Sequence, residues 1–415
     1  MQSRLRKLFF FLQIIMFPAF SFSQGEENIW YFSCYSGLDF NGGAPVSISN
    51  SFMGASNCTV SLSDSLGQIL FYSNGQQVYN RFHTMMPNGT NLSGNPNVRQ
   101  PVFAMPTLYD DSSFYIFTVD INNYPYPTPS QGLRYSIINL RFDGGKGDVE
   151  PGLKNIPIPY AEDAYQTVFG TRSDNNKDAW IVVRKQNESN YFASYKVTSS
   201  GISMVPVLSE SLVTLHQNFY GTYFLKISPD GKKLACICAD GIELCSFNNA
   251  TGAITPLFVF YPPVIIGGII YGSESLEFSV DSKYLYVSNN CYLEGCAPKI
   301  YQYDATLTDS AQFKQSEILI GTLSSLTGLE LGPDNKIYIS RTNKDSIGVI
   351  ANPSLPGSLC GFQSNAIGLE NDVMGIGLPK FIRKYKAYIH YDNECINDSI
   401  HFSGDIWPPA DSIRW

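Results

Sequence analysis

Two glutamates and one lysine lie at matching places in three similar segments of the chain: Lys226, Glu277 and Glu330. If each segment is the innermost strand of a small sheet, and the sheets surround one axis, these side chains point into a shared channel. Converging carboxylates can act as general acid and base or hold a metal ion, which is the chemistry of a channel hydrolase or lactonase. The same side chains can also be a polar lining of a water-filled channel, and the sequence favours this second interpretation.

The motifs that define common catalytic classes are missing, so we assign no catalytic residue. The sequence has no Gly-x-Ser-x-Gly elbow, no His-Glu-x-x-His helix and no phosphate-binding glycine loop. It has only four histidines, and Cys236 and Cys238 have no second pair of ligands nearby, as a zinc site would need. We therefore predict no metal and no other cofactor.

The composition is that of a folded, weakly charged domain. Of the 415 residues, 15% are Asp, Glu, Lys or Arg and 14% are Phe, Trp or Tyr, which argues against intrinsic disorder. The net charge is −8, and no cluster of Lys and Arg follows the first seven residues. Phosphate neutralisation needs such a cluster, so we expect no nucleic-acid partner.

Residues 1–23 have the three parts of a secretory signal peptide: a basic start, an apolar stretch from Leu8 to Phe20, and small residues before a cleavage point. The alternative is a membrane anchor, but the apolar stretch is broken by Gln13 and Pro18 and is shorter than the ~20 residues of a span. We expect export to the cell exterior, a mature chain that begins at Gln24, and no transmembrane helix within it.

The nine cysteines favour disulfide bonds in an exported chain, and their odd number leaves at least one thiol unpaired. Cys291 and Cys296 bracket a short loop between two strand-like runs, so a bond between them would staple the tip of a hairpin. Cys236 and Cys245 flank a predicted Asp240-Gly241 turn, and counting back from a two-residue turn places them opposite each other. A disulfide and two buried thiols fit this second pair equally well.

Tyrosines in proline-rich loops offer a different kind of site. Tyr124, Tyr126 and Tyr160 lie in such loops, where their rings could face solvent and stack on sugars. Packing within the loops is the simpler interpretation, and the sequence favours it.

Internal repeats indicate which elements hold these residues. The segments that begin at Phe224, Leu276 and Leu329 each read as a strand, a polar turn and a second strand. Asp230, Asp281 and Asp334 occupy the same place in the three turns. Because aspartate hydrogen-bonds its own backbone in turns, we interpret all three as blade-turn structural residues rather than ligands.

The repeats predict an all-β fold, a seven-bladed β-propeller over residues 24–385 of the WD-repeat-like or lactonase-like kind. Three looser copies precede the clear ones, with first strands near residues 60–63, 102–105 and 167–171. A seventh inner strand is predicted at residues 377–382, and Ile29-Trp-Tyr-Phe32 would supply the next strand of that blade and close the ring. An array of β-sandwiches is the alternative, but it explains the fixed position of the turn less well.

A family resemblance rests on eight stretches: Ile29-Trp-Tyr-Phe32, Gly37-Leu-Asp-Phe40, Ile69-Leu-Phe-Tyr-Ser-Asn-Gly75, Val78-Tyr-Asn80, Met86-Pro-Asn-Gly89, Gly132-Leu-Arg-Tyr-Ser136, Ile347-Gly-Val-Ile-Ala-Asn-Pro353 and Gly377-Leu-Pro-Lys-Phe381. In combination they resemble the N-terminal propeller of large, type IX-secreted surface proteins of gliding bacteria. Proteins of that family usually carry PKD-type domains after the propeller, and a C-terminal domain that directs secretion. The resemblance implies a cell-surface location. It also implies that residues 386–415 are the truncated start of an immunoglobulin-like PKD domain.

Together these observations predict a non-enzymatic, exported propeller that acts as a monomeric interaction or adhesion module of a larger surface or secreted protein. Its partner would be an extracellular protein or a glycan surface. The alternatives are a hydrolase or lactonase with its site in the channel, and a glycan-binding, lectin-like propeller.

Overall fold

The structure analysed is a computed structural model of the chain. It describes residues 25–32, 35–54, 57–96, 98–120, 131–175, 177–185, 190–213, 223–238, 241–262, 265–266, 269–270, 273–289, 297–325, 327–373, 375, 377–382, 386–392 and 401–407. The predicted signal peptide, Cys291, Cys296, Tyr124 and Tyr126 lie outside these residues.

The first half of the described chain forms four antiparallel sheets. Their strands are β1 (Ile29–Phe32), β2 (Ser36–Asp39) and β3 (Val46–Ile48); β4 (Val60–Ser63), β5 (Ile69–Ser73) and β6 (Val78–Asn80); β7 (Val102–Pro106), β8 (Ser113–Val119), β9 (Leu133–Asn139), β10 (Asp148–Val149) and β11 (Ile156–Pro157); and β12 (Ala164–Arg172), β13 (Ala179–Lys185), β14 (Tyr191–Thr198), β15 (Gly201–Ile202) and β16 (Val207–Glu210).

The second half forms three larger sheets and two hairpins. The strands are β17 (Tyr223–Ile227), β18 (Lys233–Cys238), β19 (Gly241–Asn248) and β20 (Ala253–Phe260); the hairpin β21 (Ile265–Ile266) and β22 (Ile269–Ile270); β23 (Ser273–Phe278), β24 (Tyr284–Asn289), β25 (Lys299–Asp304) and β26 (Ile318–Thr322); β27 (Thr327–Leu331), β28 (Ile337–Arg341), β29 (Lys344–Ile350) and β30 (Phe362–Val373); and the hairpin β31 (Lys386–Asp392) and β32 (His401–Trp407). Helical structure among the described residues is limited to Phe142–Gly145, Ser310–Gln315 and three short 3₁₀ segments, Gly25–Glu27, Pro151–Leu153 and Gly357–Cys360.

The seven sheets of three to five strands are the blades of a β-propeller, as the repeats predicted. We number them in chain order as blade 1 (β4–β6), blade 2 (β7–β11), blade 3 (β12–β16), blade 4 (β17–β20), blade 5 (β23–β26) and blade 6 (β27–β30). The sheet β1–β3 and the extended segment 377–382 form the closing blade. The chain is therefore all-β and a single ring of blades, not an array of sandwiches.

Contacts between inner strands fix the order of the blades around the axis. In blades 2 and 3, Gln100 and Thr167 form a parallel bridge. At the point of closure, Thr59 and Pro379 form a second parallel bridge, and the Lys380 N–H donates to the Thr59 carbonyl at 3.1 Å. The ring is thus closed by joining the C-terminal segment to blade 1, with β1 beside it in the same blade.

The hydrophobic core is divided among the seams between neighbouring blades. One cluster joins blades 2, 3 and 4, another joins blades 4 and 5, and a third joins blades 5 and 6. At the closing blade, the Trp30 ring stacks on Phe381 with centroids 5.9 Å apart. Inner strands such as β23 and β27 are buried along their whole length because each is covered by blades on both sides, whereas the outer strand β26 is largely exposed.

The predicted turn aspartates lie between the first and second strands of blades 4, 5 and 6. Asp230 Oδ1 accepts hydrogen bonds from the Ser228 hydroxyl at 2.6 Å and the Lys232 N–H at 3.1 Å. Asp281 makes the equivalent bonds with Ser279 and Lys283 in blade 5. Asp334 differs, because its carboxylate accepts from the Tyr338 hydroxyl at 2.8 Å and pairs with Lys336. Each aspartate stabilises the turn that joins the inner strand of its blade to the second strand.

The predicted placement of Cys236 opposite Cys245 is wrong, and of the two alternatives for this pair the structure has two buried thiols rather than a disulfide. The register pairs Cys238 with Gly241 and Cys236 with Glu243, so two residues, 239 and 240, separate the paired positions. The prediction placed the turn one residue later, and a shift of one residue in a turn moves every partner by two. Cys245 therefore lies opposite Leu234, and Cys236 and Cys245 are free, buried thiols.

The described part of residues 386–415 is one antiparallel hairpin, in which Lys386 pairs with Trp407 and Asp392 with His401. A PKD-like domain in this region remains a prediction. No helix within the described residues combines the length and the apolar character that crossing a membrane requires.

Candidate functional site

The inner strands bring the three predicted channel residues into direct contact. Lys226 Nζ of blade 4 lies 2.6 Å from Glu277 Oε2 of blade 5, and 2.7 and 2.8 Å from the two carboxylate oxygens of Glu330 in blade 6. Lys380 of the closing blade binds the same Glu330 through its ammonium group. We call Lys226, Glu277, Glu330 and Lys380 the channel network; it joins four consecutive blades.

The channel network is buried and electrically balanced. Its four side chains have exposed fractions of 2–4%, and two ammonium groups face two carboxylates. Burial is the largest single effect on Lys380 and disfavours its ammonium form, but the charge and hydrogen bond of Glu330 together with the smaller effects of Cys58 and Glu277 outweigh it and hold the pKa of Lys380 above its ordinary value. Buried charges of this kind need partners, because an unpaired one would carry a large desolvation cost.

Aromatic rings cover both lysines of the channel network. Lys226 Nζ lies 5.0 Å from the centroid of the Phe169 ring, and Lys380 Nζ lies 4.7 Å from that of Phe224. The negative face of an aromatic ring attracts a cation at this distance. The two ammonium groups are therefore held from several sides.

The carboxylate oxygens of the channel network are already bound by lysines and backbone N–H groups, so they are not available to act on a substrate. Glu277 accepts from the N–H groups of Phe278 and Leu331 besides Lys226, and both Glu330 oxygens are bound by lysines. The Lys226 ammonium stands between the two carboxylates, where a bridging metal ion would have to sit. Among the described residues there is also no group of three or more His, Cys, Asp or Glu that could hold a metal.

Lys380 was not among the predicted site residues. Its segment was predicted as an inner strand, but it lacks the Asp-containing turn that aligned Lys226, Glu277 and Glu330 with one another. A lysine in an otherwise apolar inner strand was the available signal, since a buried charge of this kind needs a partner.

A second polar layer crosses the channel from blade 2. The Gln100 side chain donates to the Leu225 carbonyl at 2.8 Å and accepts from the Leu225 N–H at 2.9 Å, which joins blade 2 to blade 4. Next to it, Arg99 pairs with the buried Glu274 of blade 5 at 2.7 Å and donates to Asn57 at 3.1 Å. Sequence reasoning missed this layer, because these residues precede the strands that the repeat aligned.

Cys58 is the one described thiol close to the charges of the channel network. Burial raises its pKa to about 11, although the nearby Lys380 charge acts in the opposite direction. Because the thiolate is the nucleophilic form, this thiol is protonated and inert at neutral pH.

A different cluster of polar and aromatic side chains lies at the seam between the closing blade and blade 1. The Tyr31 hydroxyl donates to Asn50 Oδ1 at 2.9 Å, and Asn50 Nδ2 lies 3.2 Å from His83 Nε2. His83 Nδ1 lies 3.3 Å from the Tyr72 hydroxyl, and the Tyr72 ring is stacked on Tyr79 at 5.2 Å and 9°. None of these residues was predicted as a site. The predicted Tyr160, by contrast, lies elsewhere and is 58% exposed.

In this seam cluster His83 is held as a neutral imidazole. Desolvation lowers its pKa below the ordinary value. With the Asn50 amide oriented as in the structure, its N–H donates to Nε2, so Nδ1 carries the ring hydrogen and donates to Tyr72. Protonation of His83 would place a hydrogen on Nε2, facing the N–H of Asn50, and would break the hydrogen bond between these two side chains.

Comparison with known proteins gives no family assignment: no protein-family model and no curated protein matches the chain. Among solved structures, a protein from Lactobacillus plantarum is 14% identical with a TM-score of 0.47, covering 83% of this chain and 94% of that one. A protein of unknown function from Desulfotomaculum acetoxidans is 15% identical with a TM-score of 0.41, covering 87% and 98%.

A protein from Bacteroides uniformis that is provisionally described as a 6-phosphogluconolactonase is 15% identical, with a TM-score of 0.38 and coverage of 73% and 81%. Likenesses with identities of 15% or less and TM-scores below 0.5 carry no information about the ligand or activity of this chain. The assignment of the propeller rests on its own strand order and ring closure.

Proposed function

We propose that this chain is a non-enzymatic interaction module of an exported surface protein, and that it binds its partner on the outside of the ring rather than in the channel. Export and the surface location rest on residues 1–23 and on the family resemblance. The partner is an extracellular protein or a glycan surface.

The observation that carries the proposal is the saturation of the channel network. A hydrolase needs a carboxylate or a base that can exchange a proton with substrate or activate a water molecule. Here Glu277 and Glu330 are buried and bound by lysines, so a substrate would first have to break these contacts. Such a network supports a structural role for the channel and leaves binding to the exposed surface.

A paired assay of binding and hydrolysis tests this proposal. The chain, expressed for export with its N-terminus sequenced after secretion, is applied to whole cells and to a glycan array with and without Ca²⁺. Hydrolysis of glucono-1,5-lactone is followed in parallel. We expect binding to at least one surface and no hydrolysis above the buffer rate.

Two variants make the assay specific. Glu330→Gln removes a charge from the channel network, and Glu243→Gln is its matched control, because Glu243 is an equally buried carboxylate outside the network, bonded to Ser211 and the Leu212 N–H. Surface binding should persist in both variants once circular dichroism shows that they are folded. Lactone hydrolysis that disappears in Glu330→Gln and remains in Glu243→Gln would instead make the channel an active site.

A further inference from the structure

Exposed aromatic rings surround the seam cluster. Three connections meet there: the β1–β2 hairpin with Tyr35, the segment between β3 and β4 with Asn50 and Phe52, and the turn after β6 with Phe82 and His83. We call these five residues the seam patch. The rings of Tyr35, Phe52 and Phe82 are 50%, 62% and 61% exposed.

Hydrogen bonds place the three connections next to one another. The Tyr35 N–H donates to the Met53 carbonyl at 3.3 Å, and the Phe52 N–H donates to the Tyr72 hydroxyl at 3.1 Å. Tyr72 in turn contacts His83, and His83 contacts Asn50. The seam patch is therefore one continuous surface, although its residues are separated by up to 48 positions in the sequence.

Buried tyrosines form a rigid floor under the seam patch. Tyr31, Tyr72 and Tyr79 are at most 7% exposed, and their rings pack with centroids 4.7 and 5.2 Å apart. The His83 ring stands edge-on to Tyr31 at 5.5 Å. A binding surface on such a floor loses little conformational entropy when a ligand arrives.

The backbone of the seam patch is strained at two positions. Tyr35 has φ of 65° and His83 has φ of 61°, a left-handed conformation that side chains with a Cβ rarely adopt. The Asn80 side chain secures the second turn by accepting from the N–H groups of Phe82 and Thr84. Strain of this kind persists only where surrounding structure enforces it, and it is concentrated at functional sites.

We propose that the seam patch binds a neutral saccharide unit of a glycan. This inference rests on the proposed function, since it names the partner class and the surface. The axial C–H groups of a sugar ring carry slight positive charge and pack on the negative face of an aromatic ring. Exposed Tyr35, Phe52 and Phe82 supply such faces.

The polar groups of the seam patch match the hydroxyl groups of a sugar. An amide has two donor hydrogens and two acceptor lone pairs. The contacts with Tyr31 and His83 use one lone pair and one hydrogen of the exposed Asn50 amide, which leaves one acceptor site and one donor hydrogen on the same amide. These two groups can bind hydroxyl groups of a sugar, each of which both donates and accepts.

Local charge favours a neutral sugar over an acidic one. Asp39 acts electrostatically on Tyr31, and Glu370 accepts a hydrogen bond from the Ser49 hydroxyl beside Asn50. Arg81 precedes Phe82 and is the one basic residue within that turn. The negative charge of Glu370 beside Ser49 and Asn50 would repel a uronic or sialic carboxylate.

Calorimetry with defined sugars tests the inference on the full chain. The probes are cellohexaose, maltohexaose, β-1,4-mannohexaose and xylohexaose, chosen because each carries vicinal 2,3-hydroxyls, both equatorial in glucose and xylose and axial–equatorial in mannose. We expect at least one to bind, and Phe52→Ala and Phe82→Ala each to raise its Kd at least tenfold. Tyr261→Ala is the matched control, because Tyr261 is an exposed ring of blade 4 with 54% exposure, and it should leave Kd unchanged.

Cell-binding assays separate failure of this inference from failure of the proposed function. Periodate cleaves vicinal diols, so it should abolish binding to cells if the ligand is a glycan, whereas protease treatment of the cells should not. Binding that survives periodate but is lost after protease treatment and in Phe52→Ala would mean a protein partner, which overturns the saccharide inference and keeps the proposed function. Binding that Phe52→Ala and Phe82→Ala leave unchanged would exclude the seam patch alone. Absence of binding to any cell or glycan would overturn both.

Discussion

At the scale of single residues, the chain places its charges where they stabilise the ring. Four charged side chains meet at the centre with almost no contact with solvent, and each has a partner of opposite sign. Surface pairs such as Arg141 with Asp110 have no such environment, since the Arg141 side chain is 67% exposed. The free energy of unfolding should therefore respond very differently to the loss of a charge in the two places.

Glu330→Gln should lower the free energy of unfolding by about 3–5 kcal/mol, because it leaves two buried lysines with one carboxylate. Arg141→Gln, which breaks a surface pair, should lower it by at most about 1 kcal/mol. Urea denaturation of both variants measures the difference. Equal, small losses would show that the channel network is more hydrated than its burial indicates.

His83 should titrate below its ordinary pKa of about 6.5 in the folded chain, because burial disfavours its charged form. The unfolded chain takes up the proton first as the pH falls. The stability that this residue contributes is therefore present above about pH 6.5 and is lost as the pH falls toward the folded-state value. Imidazole ¹⁵N shifts recorded against pH measure the pKa, and His83→Gln identifies the signal. A folded-state value above 6.5 would contradict the burial of this ring.

At the scale of elements, the turn between the first and second strands is the unit that the sequence encodes most clearly. The Pro-Asp-Gly, Val-Asp-Ser and Pro-Asp-Asn turns aligned three inner strands and so predicted that Lys226, Glu277 and Glu330 would converge. The same kind of counting failed for Cys236 and Cys245, since it depended on a turn position that local sequence left ambiguous by one residue. An error of one residue in the turn leaves each side chain on the predicted face of the sheet, but it changes the residue that lies opposite on the neighbouring strand.

Asp281→Ala should lower the free energy of unfolding by about 1 kcal/mol, because the Ser279 hydroxyl and the Lys283 N–H lose their shared acceptor. Asp281→Asn keeps an oxygen at the same place and should cost less than half as much. Thermal or urea unfolding of both variants provides the comparison. If the two substitutions cost the same, the charge of Asp281, and not its position as an acceptor, would be what stabilises the turn.

At the scale of the whole molecule, the ring depends on residues from both ends of the propeller. The closing blade combines β1–β3 with segment 377–382, and Ser36 contacts the backbone of Asn371 across 335 positions of sequence. Repeat spacing predicted the number of blades and this mode of closure. It could not predict the seam patch, because that surface forms only where three short connections of the neighbouring sheets β1–β3 and β4–β6 pack together.

A chain that ends at residue 376 should lose its single cooperative unfolding transition, whereas one that ends at residue 385 should keep it. The shorter chain lacks the strand that bonds Thr59 and the lysine that neutralises Glu330. Lys380→Met in the full chain separates the two causes, since it removes the charge and keeps the strand. Calorimetric and van't Hoff enthalpies of unfolding measure cooperativity. If the ratio of calorimetric to van't Hoff enthalpy were the same in the two truncated chains, the ring would be stable without its closing segment.

The channel network also has a consequence for the time at which the protein can finish folding. Its last member, Lys380, is synthesised 50 residues after the carboxylate it neutralises and more than 150 after Lys226. Until then the nascent chain holds unbalanced charges and an open edge at blade 1, and long-range contacts of this kind form slowly. Single blades can therefore form while the chain is being synthesised, but the ring cannot close until Lys380 has left the ribosome.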